Sequence, residues 1–335
     1  MVVLGACAAW PLITAAARDG RPEGMLLAVL AVAAGYAAGR IGGALLPVAA
    51  PCAGALAGIG LTAWVPHLAP GPQITAPLGH AGATTAMVIL SAGAASCAAW
   101  AASGPAVRSA MRLLAAGIAV TAAVLGSVTG CVAAAVVLAV STAAGRVRRR
   151  GAVLAGLGVI AAGAAGLTWA VAGSAVPEGF AASLEGRLTP HRVALWHDAL
   201  DLARTHAGLG VGPGRFGELS AASLGSPLSD GKPHSAPLQL AAEQGVVGVL
   251  LLTAAFGWLL YALWRSPRPT PVVLTAAAAL TALAAVATVG NALSFTAVAV
   301  GTGYLAGLAT SRPFALETAR RAGEVKGGGV SRPAR

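Results

Sequence analysis

Apolar residues run along this chain in long blocks, separated by short polar clusters rich in Arg, Pro and Gly. A helix needs about 20 mostly apolar residues to cross the hydrocarbon core of a bilayer. By that measure the pattern predicts spans at 1–17, 24–39, 48–66, 83–102, 109–127, 129–145, 151–173, 243–264, 271–289 and 291–309. The first block is short, but it lacks the basic n-region and small-residue cleavage site of a signal peptide, so it reads as a membrane helix. The predicted fold class is therefore all-α, a polytopic bundle of about ten spans.

The blocks are interrupted once at length, between 173 and 243. Inside that interval LTPHRVALWHDALDLARTH (188–206) has the pattern of a helix. Thr189 suits the N-cap and Pro190 the first turn. Val193, Trp196, Leu200 and Ala203 then recur at helical spacing. An amphipathic helix of this kind can lie along a membrane surface. Arg192 and Trp196, four apart, share one side of it.

Arginine placement sets the orientation, because Lys and Arg accumulate on the cytoplasmic side of membrane helices. RVRRR (146–150) and WRSPR (264–268) are assigned inside, and alternation then brings Arg40, Arg108 and Arg112 inside too. The interval 67–82 has no Lys or Arg and falls outside. Arg18 and Arg21 break the rule, accompanied by Asp19 and Glu23. All six histidines, His67, His80, His191, His197, His206 and His234, fall on outer segments, although the topology was drawn without them. The expected organisation is N-terminal membrane helices (1–173), an extracytoplasmic loop with short amphipathic helices and the candidate site (174–242), C-terminal membrane helices (243–311) and a disordered basic cytoplasmic tail (312–335). Long loops tend to carry function.

Composition sharpens this picture. Only 10% of the 335 residues are charged and 57% are hydrophobic, against about 25% charged in soluble domains. The net charge of +11 sits at the ends of apolar blocks and in the tail, so membrane orientation accounts for it and a nucleic-acid partner is not indicated. Cys7, Cys52, Cys97 and Cys131 lie inside apolar blocks without CxxC or metal spacing, which supports neither a disulfide framework nor a zinc site.

The chemistry-bearing residues crowd into the interval. GLGVGPGRF (208–216) formally contains GxGxxG at Gly212, Gly214 and Gly217, but no strand precedes it. No GK[ST] follows either, so neither a dinucleotide fold nor a P-loop is supported. A tight glycine turn offering backbone N–H groups to an anion, or a plain structural turn, remains. GKPHSAPLQLAAEQGVVG (231–248) then places His234 just before a span and Glu243 at its mouth.

Taken in order, Arg192-x-x-x-Trp196, Gly210/Gly212/Gly214/Phe216 and His234-x-x-x-Leu238-Gln239 leading to Glu243-x-Gly245-x-x-Gly248 resemble the signature of the O-antigen ligase and O-antigen polymerase family. Upstream, APLGHAGATTAMVIL (76–90) is similar to a family segment whose usual asparagine is replaced near Gly82. Val128-Thr129-Gly130 stands where the family commonly has Ser-Arg-Gly, and Ser235 where an asparagine often follows the histidine.

The resemblance implies inverting transfer of a glycan from an undecaprenyl-diphosphate-linked donor to a glycan or lipid acceptor, at the outer face of the cytoplasmic membrane. It implies no nucleotide sugar, metal or other cofactor. His234 is the candidate for orienting or deprotonating the acceptor hydroxyl. Arg192 is the candidate partner of the diphosphate, helped by the N–H groups around Gly212 and Gly214. Arg215 and Lys232 are further substrate-binding candidates, with Trp196. Glu243 has two readings, orienting His234 or capping the incoming helix, and the cap is preferred. Two other readings stand beside this one, a transporter and a non-catalytic member of an envelope-polymer complex.

Overall fold

The structure is a computed structural model that describes residues 2–68, 79–174, 190–225, 231–312 and Phe314. The expected N-cap Thr189 and the basic tail beyond Phe314 lie outside the described residues. Among the described residues all regular structure is helical. The apolar blocks become α1 (Val2–Arg18), α2 (Glu23–Leu45), α3 (Ala49–Leu68), α4 (Gly79–Ala101), α5 (Pro105–Val124), α6 (Val128–Ala144) and α7 (Arg150–Ala172). The interval supplies α8 (Pro190–Thr205) and two single turns, α9 (Phe216–Leu219) and α10 (Ala221–Leu224). The chain then continues through α11 (Ala236–Trp264), α12 (Thr270–Val289), a 3-10 turn (Ala292–Ser294) and α13 (Thr296–Thr310).

Six of these helices, α2, α4, α5, α7, α11 and α12, are long and apolar enough to cross a membrane, and α1, α6, α13 and residues 49–62 of α3 form shorter apolar helices. The chain is a multi-pass membrane protein. Large apolar side chains such as Leu30, Leu113, Val124, Val159 and Leu250 lie exposed on the outer helix faces, as expected where lipid rather than water surrounds the bundle.

Helix boundaries differ from the sequence reading where arginines stood. α2 runs past Arg40 because that guanidinium folds back over the Tyr36 ring, 5.9 Å from its centroid. α5 begins at Pro105 and takes in both Arg108 and Arg112. Arg108 donates to the Ala102 carbonyl at 3.0 Å, and Arg112 lies over Trp100 at 5.7 Å. Charge at these ends is absorbed locally, so it does not terminate the helix.

Two helices form the centre. The apolar windows of α4 and α12 are 89% and 72% buried, whereas those of α7 and α11 are 17% and 11% buried. A helix enclosed on every side has no polar face to show, which explains the even apolar pattern of α4. Its Thr85 hydroxyl finds a partner inside the bundle: Thr85 pairs with Ser127 (2.8 Å), and Ser127 in turn accepts from Gly130 N (3.1 Å) to cap α6.

The tightest crossing joins α2 to α13. Side chains at Gly35 and Gly39 would overlap the carbonyls of Val300 and Tyr304, and side chains at Gly303 and Gly307 would overlap those of Val32 and Tyr36. Small residues four apart on both helices thus bring the two backbones together, which in lipid substitutes for a hydrophobic driving force. Below this crossing Arg268, 7% exposed, donates to the Gly43 carbonyl (2.6 Å) and to Ser311 Oγ (2.7 Å). Arg150 donates to the Ser266 carbonyl at 3.1 Å. The arginine-rich turns before α7 and α12 therefore lie at one end of the bundle. Residues 190–225 and 231–235 occupy the other.

Candidate functional site

α8 is fastened to the bundle through a compact apolar core. Leu195, Trp196, Ala199 and Leu200 pack with Phe216, Leu238, Ala242 and Ala172. The amphipathic stripe is therefore covered by α7, α11 and α9. The apolar face that suited a membrane surface is thus packed against protein. Trp196 is 1% exposed and lies in that core, away from the cavity described below. Asp198 completes the fold of the segment by accepting from Ser220 Oγ (2.7 Å) and Ala222 N (2.8 Å).

The motif Glu243-x-Gly245 has a structural meaning that the sequence alone left open. α11 breaks at Gly245, whose φ of 66° and ψ of −162° are open essentially only to glycine. A helix break leaves carbonyls and N–H groups without intrahelical partners. Here Val211 N donates to Ala242 O (2.9 Å), Gly212 N to Glu243 O (3.0 Å) and Val246 N to Ala207 O (2.9 Å). Trp10 Nε1 donates to Gln244 O at 3.1 Å. The glycine turn is thus strapped onto the break, and Gly210 lies so near Glu243 that a side chain there would overlap its backbone.

Glu243 is 3% exposed, and its carboxylate accepts from the backbone N–H groups of Gly214 and Phe216, with Gln239 Nε2 at 3.5 Å and Lys232 nearby. The N–H groups of the turn are therefore occupied by a side chain of the protein itself. α11 begins seven residues earlier, at Ala236, so Glu243 does not cap it as the sequence reading preferred. It welds the glycine turn to the helix break.

A cavity of about 350 Å³ opens beside Glu243, between α1, α2, α11 and residues 290–294. Its polar lining includes Arg21, Lys232, Gln239, Glu243, Gln244 and Asn291. Further along α2 and α11 the lining turns apolar, with Met25, Val29, Leu251 and Leu252. At about 1.5 Å per residue, α11 carries the wall from Gln239 to Leu252 over about 20 Å. The cavity is charged at the end carrying segment 190–235 and greasy toward the bundle middle, a shape that suits an amphiphile.

The predicted residues divide around this cavity. Lys232, Gly214 and Glu243 line it. His234 does not, but it lies between Lys232 and Ala236, which do, and it adopts a left-handed conformation with φ of 52°. Such a conformation is uncommon for a residue with a side chain. Arg192 donates to the Val289 carbonyl at 3.1 Å, next to Gly290 and Asn291 of the cavity wall. Arg215 turns the other way, donating to the Arg18 carbonyl (2.7 Å) and meeting Glu218 at 3.7 Å. Gly212 serves the strap.

Sequence reasoning passed over Arg21 and Asn291. Arg21 N donates to the Pro213 carbonyl at 2.7 Å and its guanidinium pairs with Glu218 at 3.0 Å. The basic α1–α2 connection is therefore folded against the glycine turn. The unusual place of Arg18 and Arg21 in the expected arginine pattern was the available signal. Asn291 lies beside Gly82, where a Cβ would be 3.5 Å from Asn291 N.

Fold and site together define a class: a helical, multi-pass membrane protein with a charged cavity under a folded segment at one end. Residues 113–253, from α5 into α11, match the model of the O-antigen ligase family. This matched stretch is less than half of the 335 residues and includes α8, the glycine turn, Lys232, His234 and Glu243. It supports an O-antigen ligase-like family, in agreement with the loop residues. No curated protein and no solved structure matches the chain.

Proposed function

We propose that this protein transfers a glycan from a polyprenyl-diphosphate donor to an acceptor hydroxyl at the outer face of the cytoplasmic membrane, as an O-antigen ligase-like glycosyltransferase. In this reading all ten apolar helices cross the bilayer, and segment 174–242 faces outward. The observation that carries it is the amphipathic cavity, whose mouth holds Lys232 and Arg21 and whose depth is apolar. A diphosphate needs cations in a place of restricted water, and a prenyl chain needs an apolar wall continuous with lipid.

The acceptor oxygen attacks the anomeric carbon, a new C–O bond forms, and the bond to the diphosphate breaks with inversion. The prenyl diphosphate departs with that electron pair. Lys232 neutralises the charge developing on the leaving group, and Arg192 reaches it from above Val289. His234 orients the acceptor hydroxyl and takes its proton; a neutral imidazole is suited to this near pH 7. Its left-handed backbone is consistent with a position held for function. Glu243 holds the glycine turn and Lys232 in register.

The test is replacement of His234 or Arg192 by Ala, and of Lys232 by Met, in cells that make the relevant surface polymer. Each is expected to lower glycan attachment or chain length at unchanged protein level. Normal polymer in all three would remove the catalytic reading and favour a non-catalytic partner in polymer assembly. Labelling of cysteines introduced at 204 or 219 by a membrane-impermeant reagent in intact cells is the expected sign of an outward segment. Protection until lysis would end the proposal.

A further inference from the structure

The matched stretch omits α1, α2 and the connection between them, yet one wall of the cavity is built from exactly that region. We propose that the α1–α2 connection and the first turns of α2 are part of the donor site, with Arg21 binding the diphosphate and Met25 and Val29 holding the first isoprene units against Leu251 and Leu252. This rests on the glycosyl-transfer reading above and adds to it a region that the family model does not cover.

Three observations carry the inference. The first is charge. Lys232 lies close to the buried Glu243 carboxyl group, and a single ammonium supplies only part of the positive charge that a diphosphate requires. Arg21 supplies the additional positive charge that a diphosphate requires, in a planar fork suited to phosphate oxygens. Its present partner is Glu218, and that pair is 75% and 50% exposed. Exposed pairs are worth little, so exchanging it for a ligand costs little. Glu218 retains Arg215, 3.7 Å away.

The second is position. Arg21 N on the Pro213 carbonyl and Arg215 Nη1 on the Arg18 carbonyl, each at 2.7 Å, bolt the connection to the glycine turn. Gly20 is pressed against Pro213 without room for a side chain. The guanidinium therefore springs from a backbone fixed relative to Lys232 and Glu243, which is the pre-organisation a binding group needs.

The third is the wall. Met25 and Val29, one turn apart on α2, face the cavity together with Leu251 and Leu252 of α11. Leu27 and Leu30 of α2 and Leu250 of α11 are exposed on the lipid-facing side. An isoprenoid chain lying between these helices would pass from the cavity into the bilayer without crossing a polar surface.

The experiment uses the full chain in lipid nanodiscs with farnesyl diphosphate as the probe, and inorganic pyrophosphate and farnesol as separate arms. Wild type should bind farnesyl diphosphate more tightly than either fragment. Arg21→Ala should weaken that binding about tenfold, the size expected for losing a charge-assisted contact, and Arg21→Lys should recover part of it. Val29→Trp should weaken farnesyl diphosphate but leave pyrophosphate binding unchanged. Glu218→Gln should leave binding equal or tighter, and it keeps the proposal testable if Arg21→Ala does not fold. Farnesyl diphosphate binding that is equal in wild type, Arg21→Ala and Val29→Trp would overturn the assignment while leaving the donor reading standing. Folded wild type that binds no farnesyl diphosphate would overturn both.

Discussion

Gly245→Ala is the most direct probe of how the site is assembled. At φ 66° and ψ −162° an L-residue is strained, by about 1–3 kcal/mol. The added Cβ would also lie 2.5 Å from the carbonyl oxygens of both Ala207 and Gly208, and those are backbone atoms that cannot rotate aside. The chain must withdraw, which gives up the Val246 N to Ala207 O hydrogen bond, worth about 1 kcal/mol net. The sum is about 2–4 kcal/mol, concentrated where the glycine turn meets α11. Gly257→Ala on the same helix is the control, because a Cβ there meets nothing within 4 Å; in an open helical position it should be neutral or slightly stabilising. Thermal unfolding of purified protein in nanodiscs, with limited proteolysis of segment 190–235, reads both. We expect a lower midpoint and faster cleavage for Gly245→Ala alone. Wild-type midpoint and cleavage rate for that variant would refute the strapped-break account.

Other variants test other links. Gly39→Val should push α2 away from α13 and cost about 3 kcal/mol, seen as a lower unfolding midpoint, because its side chain would overlap the Tyr304 carbonyl. Trp196→Ala should destabilise by about 3–5 kcal/mol, read as early proteolysis of the segment, since it empties the centre of the α8 core. Arg268→Ala should cost about 2–3 kcal/mol by leaving the Gly43 carbonyl buried without its donor, again visible in the unfolding midpoint, and Arg268→Lys should recover only part of it.

Much of the helical framework was legible. Every predicted apolar block contains a helix, and α8 spans nearly the predicted range, because both signals depend on residues three or four apart. Boundaries were misjudged where charge was taken as a stop signal: Arg40 finds an aromatic ring and Arg108 a carbonyl within a few residues. Of the candidate site, the motif residues were legible in the sequence but not what each of them touches. Trp196 and Phe216 pack the segment's core, Gly210 and Gly212 strap the break, and Arg215 clamps the α1–α2 connection.

The sequence by itself determined that this is a helical membrane protein and that its longest polar interval lies between α7 and α11, since hydrophobic runs and helical periodicity are properties of neighbouring residues. The tertiary structure alone decided which side chain the glycine turn holds, why α11 breaks at Gly245, and that Arg21 stands at the mouth of the same cavity as Lys232. Arg21 and Glu218 are separated by 197 positions. Pairings across that distance depend on where whole helices cross, and helix crossing is set by side-chain packing that no local pattern encodes.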